Sequence, residues 1–362
     1  MVMPHKRSTT RGSTGQGGFT LIELMVGMAV ATIVVAAAFT ILTTTAKSLR
    51  ANEQVVGAQQ NLRMATELLT RDIKLAGFGN PGVTIGNCNY PIVPQDQNVG
   101  GADTGADSVQ LLVPTTRTTG SNRWTLSVKT GTAGITQITL QPGAVTDMVS
   151  SGLVATQSYI SVGGSATALV TGLSQAASTL NVAIPPPLWF QQEDQVYLLQ
   201  CIRYQVVPLP DAGNLCGGTA PCLTRGVAGV TAGPNAEAPI AEGIEDLQLA
   251  YACDGCVNTP ANNNGIPDRI IDDQNNSTSF DQADFLSNVP WNTPPLTPDK
   301  IKLVQVALVA RQSKGDEGFG ETMKFTVGSP ATVVTSDHTL AADPSHRRKV
   351  LVKTVDTRNI GF

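Results

Sequence analysis

Between Leu24 and Ala46 the chain carries no charged residue, and apolar side chains fill most positions. About 20 apolar residues suffice to cross a bilayer as a helix, so this run predicts a membrane-spanning segment. After Lys47 the pattern changes. Leu62, Ala65, Leu69, Ile73 and Ala76 recur at spacings of three and four, while Arg63, Glu67, Arg71 and Lys74 lie off that stripe. This is the period of an amphipathic helix. Gly77 and Pro81 supply the stop signal. One helix is predicted over residues 19 to about 76, apolar all round over 19–46 and amphipathic over 47–76. Gly27 and Gly57 loosen it locally but do not break it, since Gly costs only about 1 kcal/mol relative to Ala.

From residue 108 onward the period shortens to two. Short alternating or β-branched runs fall at 108–114, 123–129, 135–141, 159–162, 168–171 and 179–184, separated by turn residues. Such spacing predicts hairpins. Pro185-Pro186-Pro187 interrupts the series, and a long strand is expected over 196–207. Residues 208–240 are loop-rich around a short strand at 223–225. In 240–251 Leu247, Leu249 and Tyr251 alternate with Gln248 and Ala250, which predicts a strand with one buried face. Residues 252–299 form a polar insertion. Both faces of 301–311 are apolar, so this is expected to be a buried strand, and 347–355 is the last strand. The fold class predicted is α+β, a long N-terminal helix followed by a β-rich antiparallel domain.

The 362 residues suffice for one large or two modest domains. Scarce aromatics and abundant Gly and Pro suit many turns. The net charge is −4. The three basic residues before the apolar run, Lys6, Arg7 and Arg11, are accompanied by no acid, so without them the balance is −7. An acidic chain argues against a broad nucleic-acid face, which needs cations to meet phosphates.

The junction of the two patterns reads Gly18-Phe19-Thr20-Leu21-Ile22-Glu23-Leu24. It resembles the class III signal of type IV prepilins: a short basic leader ending in Gly, then Phe, with Glu at the fifth position counted from that Phe. An ordinary secretory signal fits less well, because its apolar region is shorter and is removed with it. The resemblance implies cleavage between Gly18 and Phe19 by a prepilin peptidase, N-methylation of Phe19, and retention of the helix. It also implies a role for Glu23. A charge inside lipid is unfavourable and calls for a partner. In a filament of packed helices a neighbour's N-terminal amine would pair with it and set the subunit's axial register.

Four further stretches resemble the PilW branch of the minor pilins. They are the helix from Leu62 to Phe78 with its Asp72 and Ala76-Gly77-Phe78 closure, the stretch 240–251 in which Gly243-Ile244-Glu245-Asp246-Leu247 leads to Tyr251, the stretch 301–311, and the basic last strand with Arg358-Asn359. The resemblance implies a pilin-like fold divided into a leader at 1–18, a helix at 19–78, and an extracytoplasmic β-rich PilW-like domain at 79–362. It covers 108–190 least. The function implied is a structural, membrane-anchored minor pilin that initiates or caps type IV pilus assembly. The alternatives are a type II secretion pseudopilin and a pilus-tip adhesin. Partners implied are other minor pilins, the major pilin, prepilin peptidase and the inner-membrane assembly platform.

The basic leader places the N-terminus in the cytoplasm and the domain outside the inner membrane. That compartment is oxidising, so Cys88, Cys201, Cys216, Cys222, Cys253 and Cys256 are expected to pair. Fifteen connectivities are open. The set expected is Cys88–Cys201, Cys216–Cys222 and Cys253–Cys256. Cys253-Asp254-Gly255-Cys256 also has the spacing of half a zinc site, but no second Cys-x-x-Cys exists, and His5, His338 and His346 are distant. Asn262-Asn263-Asn264-Gly265-Ile266-Pro267-Asp268 resembles a degenerate calcium loop, with Asp254, Asn262, Asn264, Asp268 and Asp272 as candidate ligands. Calcium prefers acids where Asn stands here, so a solvated turn is the favoured reading and no cofactor is expected. No Ser/His/Asp grouping or phosphate-binding glycine motif points to an enzyme. Asp316-Glu317 reads as a solvated turn.

Overall fold

The computed structural model describes residues 18–79, 82–95, 105–211, 213–228, 236–256, 266–275, 277, 279–315, 325–326, 339–340 and 345–360. Lys6, Arg7, Arg11, Asn262, Asn264, Asp316, Glu317 and His338 lie outside the described residues. Two compact units are present, Met1–Glu53 and Gln54–Phe362.

Helix α1 spans Leu21–Leu75. Its portion in the first unit exposes its large apolar side chains, Leu21, Ile22, Phe39, Ile41 and Leu42 among them. Several of its threonines bond their hydroxyls back to the helix backbone. Thr32 donates to Met28 O at 2.6 Å, Thr40 to Ala36 O at 2.9 Å and Thr44 to Thr40 O at 2.9 Å. Such back-bonding lets a polar side chain sit on a lipid-facing helix.

In the second unit the helix buries one stripe. Ala58, Leu62, Ala65, Leu69, Ile73 and Ala76 are in the core, and Arg63, Glu67 and Lys74 are exposed. The helix ends at Gly77, which adopts a φ of +82° and donates its N–H to Leu112 O at 3.0 Å. A Cβ there would lie 2.8 Å from Asn359 O and 2.9 Å from Pro91 Cβ. Gly therefore meets both the left-handed turn and the close approach.

The chain continues through β1 (Ile92–Gln95), β2 (Ser108–Thr115), β3 (Ile135–Thr139), α2 (Ala144–Ser150), β4 (Tyr159–Val162) and β5 (Ala166–Leu169). Then come β6 (Gly172–Ser174), β7 (Thr179–Ile184), β8 (Val196–Val207), β9 (Cys222–Val227), β10 (Ala238–Glu242) and β11 (Ile244–Cys253). The last are β12 (Ile301–Arg311), β13 (Phe325–Thr326), β14 (Thr339–Leu340) and β15 (Arg348–Asp356). The main sheet has the order β1-β2-β8-β4-β5, with β9 on β8 and β10 on β9. Strand β8 organises it. One edge pairs with β2. The other pairs with β4 over 196–199 and with β9 over 202–207. A second sheet is β11-β12-β15 and a third is β3-β7-β6. The pairings are antiparallel.

The amphipathic stretch of α1 closes the first core against both larger sheets. Val109, Leu111 and Val113 of β2, Ile202 and Tyr204 of β8, Leu247, Leu249 and Tyr251 of β11, and Val304, Val306 and Leu308 of β12 join its buried stripe. A second core lies in the segment between β2 and β8. Trp124, Leu126, Ile138, Val145, Met148, Leu180 and Phe190 fill it. Its surfaces are covered by elements of 124–198, so the stretch least like the family builds its own hydrophobic interior.

Three expectations are corrected. Residues 123–129 form no strand. Thr125 bridges Gln195 and Leu126 bridges Leu140, so consecutive residues meet different neighbours and no ladder extends. Trp124, Thr125 and Leu126 are all buried, which no strand with one wet face permits. The seven-residue α2, absent from the reading above, closes the second core through Ala144, Val145 and Met148. Strand β11 is buried on both faces. Gln248 donates to Gly105 O at 3.0 Å, and Ala250 and Ala252 pack with Phe285 from the polar insertion. The insertion thus supplies core. Leu286 bridges Tyr251 through both backbone hydrogen bonds, and Trp291 meets the Tyr251 ring edge-on at 5.6 Å.

The C-terminal tail caps α1. Asn359 Nδ2 donates to Lys74 O at 2.9 Å, which satisfies one carbonyl orphaned at the helix end. Ile360 is buried beneath it, and Lys302 Nζ donates to its carbonyl at 3.2 Å. Replacing Asn359 by Ala should cost about 1 kcal/mol in urea unfolding of the detergent-solubilised protein. An unchanged midpoint would show that water serves the carbonyl equally well.

Candidate functional site

The N-terminal site is a capping box. Thr20 N donates to Glu23 Oε2 at 3.0 Å, and Glu23 N donates to Thr20 Oγ1 at 3.3 Å. The Thr20 hydroxyl adds a third bond to Glu23 Oε2 at 3.0 Å. Reciprocal bonds of this kind satisfy two of the donors left orphaned at a helix start. The carboxylate also lies against the positive end of the helix dipole. Thr20 is a residue the sequence reading missed. Its signal was present as Thr-x-x-Glu immediately before an apolar run. Glu23 Oε1 has no partner among the described residues. Phe19 is 89% exposed, leaving the Gly18–Phe19 bond accessible.

A second constellation holds α1 to the main sheet. Asp72 is 1% exposed. Its Oδ2 accepts from Tyr204 Oη at 2.7 Å and Arg225 Nε at 2.9 Å, with Arg225 Nη2 also at 2.9 Å. Its Oδ1 accepts from Arg71 Nε at 3.3 Å and Nη2 at 3.2 Å. Burial disfavours the charge on Arg225, but the Asp72 carboxylate, the Tyr204 phenol and the hydrogen bonds to both together outweigh it and raise the pKa. Burial, then the same carboxylate, pushes the Tyr204 phenol well above its ordinary value, so it stays a donor. Nothing local in sequence announces this cluster, because Tyr204 and Arg225 lie 132 and 153 positions from Asp72.

The helix exit is seated on the hairpin between β4 and β5. Phe78 packs edge-on against Tyr197 at 5.1 Å. It also lies over Gly164, where an added Cβ would come within 2.5 Å of its ring. The Thr167 hydroxyl donates to Gly79 O.

Six cysteines form three bridges, Cys88–Cys201, Cys216–Cys222 and Cys253–Cys256. The first ties the segment before β1 to the middle of β8, and the other two close turns at the ends of β9 and β11. Labelling the native protein with a thiol reagent should modify none of the six. Uptake without reductant would contradict the bridges.

The candidate calcium acids are placed as loop anchors. Asp254 accepts from the backbone of Asp268 at 2.9 Å and Arg269 at 3.0 Å. Asp272 accepts from Gly255 N at 3.1 Å and Cys256 N at 2.7 Å. Asp268 Oδ1 accepts from Ile270 N at 2.9 Å. Cys253, Cys256 and Asp272 bring potential metal-binding atoms within 4.8 Å of one another. The two sulfurs are joined to each other and the carboxylate serves two amides, so that grouping acts as a staple.

Comparison with known proteins gives two matches. Residues 13–39 match the prokaryotic N-terminal methylation motif. Residues 211–359 match the family described as type IV pilus-assembly protein W, and this stretch holds β9 to β12, the polar insertion and β15. No curated protein and no solved structure matches the chain. The chain thus carries a prepilin-type methylation motif at the start of a long apolar helix and, over residues 211–359, a stretch similar to the PilW family of type IV pilus proteins, which packs upon the amphipathic continuation of that helix.

Proposed function

We propose that the protein is a minor pilin that takes part in initiating or capping type IV pilus assembly. The observation that carries this reading is the Glu23 carboxylate. It is held by its own helix through Oε2 and has Oε1 free, at the start of an uncharged helix. Prepilin peptidase cuts after Gly18, and the Phe19 amine so created is methylated. The chain waits in the inner membrane as a single-pass protein, with the N-terminus cytoplasmic and the domain outside. Assembly draws the helix from lipid into a bundle of neighbouring helices, where a neighbour's N-terminal amine meets Glu23. The partners are other minor pilins, the major pilin and the assembly platform. A second reading is favoured by the separate core built around Trp124, Met148 and Phe190. In it the subunit also presents residues 116–198 at the pilus tip as an adhesive or ligand-binding module.

Deleting the gene tests the main reading. Surface pili should fall sharply and return on complementation, while secretion of folded exoproteins continues. Normal piliation with blocked secretion would assign the chain to a secretion pseudopilus instead.

A further inference from the structure

Asp72 does more than hold α1, because it is asked to balance two cations. Its two oxygens accept five N–H or O–H contacts in all, two at Oδ1 and three at Oδ2. A carboxylate offers about four lone-pair positions, so it is saturated. Arg71 and Arg225 therefore share one negative charge and leave one positive charge uncompensated. The imbalance stands out in a chain whose mature charge is −7. Nη1 of each arginine has no partner among the described residues.

Both arginines line a cleft of about 570 Å³. The other lining residues include Thr115, Thr116, Ser151 and Gln200, with Leu75 and Val113 as apolar wall. Asp72 is the one acid among the lining residues, and it is spent. The walls are pre-set. Thr115 donates to Gln200 Oε1 at 3.1 Å, and Gln200 Nε2 donates to Ser151 O at 2.9 Å. Arg71 is 61% exposed and Arg225 27%, so one guanidinium is reachable and the other is half-sheltered. A guanidinium offers donors in a planar fork that matches two carboxylate oxygens. Glu67 lies one helical turn before Arg71, and no ion pair joins them in this structure.

We propose that this cleft binds a carboxylate group, which completes a two-arginine, two-carboxylate cluster with Asp72. The carboxylate belongs either to an acidic side chain of a neighbouring subunit or to a small free acid. The site itself rests on the geometry above and needs no filament. Only the neighbouring-subunit source rests on the pilus reading.

The test uses the detergent-solubilised full chain. Titration calorimetry with citrate, at ionic strength held constant with sodium chloride, should show saturable binding to the wild type. Arg71→Gln should bind about tenfold more weakly, as expected when one charge-assisted contact is lost. Arg71→Lys should fall between the two. Glu67→Gln should bind at least as tightly as wild type. Absence of citrate binding to the wild type, or equal binding by Arg71→Gln, overturns the proposal. A second arm separates the sources. Arg71→Glu cells that make several-fold fewer pili, with unchanged membrane levels of the protein, assign the carboxylate to a neighbouring subunit. Normal piliation alongside lost citrate binding assigns it to a free acid. Because calorimetry reads the isolated protein, a failure of the pilus reading leaves the first arm interpretable.

Discussion

Cells carrying Glu23→Ala will process the protein and hold it in the membrane at normal levels, yet display about tenfold fewer pili. Removing a charge from the apolar helix leaves insertion no harder, since ionised groups in lipid are what insertion disfavours. On the proposed function, what is lost is the partner for a neighbour's amine in a water-poor bundle, where a charge-assisted contact is strong. The capping box adds a rival explanation, because Ala also removes the bonds from Thr20. Glu23→Gln separates the two. Gln serves in a capping box as Glu does, but it carries no charge. If pairing with an amine is the role, Gln fails as Ala does. If capping is the role, Gln assembles normally and Ala does not. Wild-type pilus counts for both variants would remove Glu23 from assembly altogether.

The second large effect lies in the soluble domain. Asp72→Ala should destabilise it by about 3–5 kcal/mol, the range for removing one partner of a buried ion pair. The cost arises from what remains. Arg225 keeps its charge in a half-sheltered site, and the Tyr204 hydroxyl, in a side chain with no exposure, loses its acceptor. Tyr204→Phe should cost far less, about 1 kcal/mol, because Asp72 keeps both arginines. Urea unfolding of the detergent-solubilised variants, followed by near-ultraviolet circular dichroism, gives both values. A loss below about 1 kcal/mol for Asp72→Ala would mean that Arg225 finds water or another acid. The geometry would then not be what anchors the helix.

The sequence announced whatever depends on near neighbours. The uncharged run after Glu23, the stripe from Leu62 to Ala76 and the doubly apolar β12 are patterns of period 3.6 or 2, and each is set by burial of adjacent turns or pleats. Gly18, Phe19 and Glu23 stand within six residues, so the N-terminal signal was visible whole. What escaped depends on distant neighbours. Asp72 looked like one more charge near a helix end until Tyr204 and Arg225 came to it. Gln248 and Ala250 read as a wet face because their cover, Phe285 and the backbone at Gly105, lies in segments that carry little pattern of their own. The short α2 escaped because seven residues with two valines and a threonine show no clear helical period. Thr20 is different. Its Thr-x-x-Glu spacing is local and legible, but it falls inside the stretch whose pattern is set by the cleavage signal and the apolar run.

The most direct check on this account is the mass of the mature N-terminus. The protein would be extracted from membranes of cells with active prepilin peptidase, digested, and its first peptide sequenced by mass spectrometry. The account predicts a terminal peptide that begins at Phe19 and carries one methyl group on its amine. A first peptide that still contains Met1, or one that begins beyond the apolar helix, would contradict it.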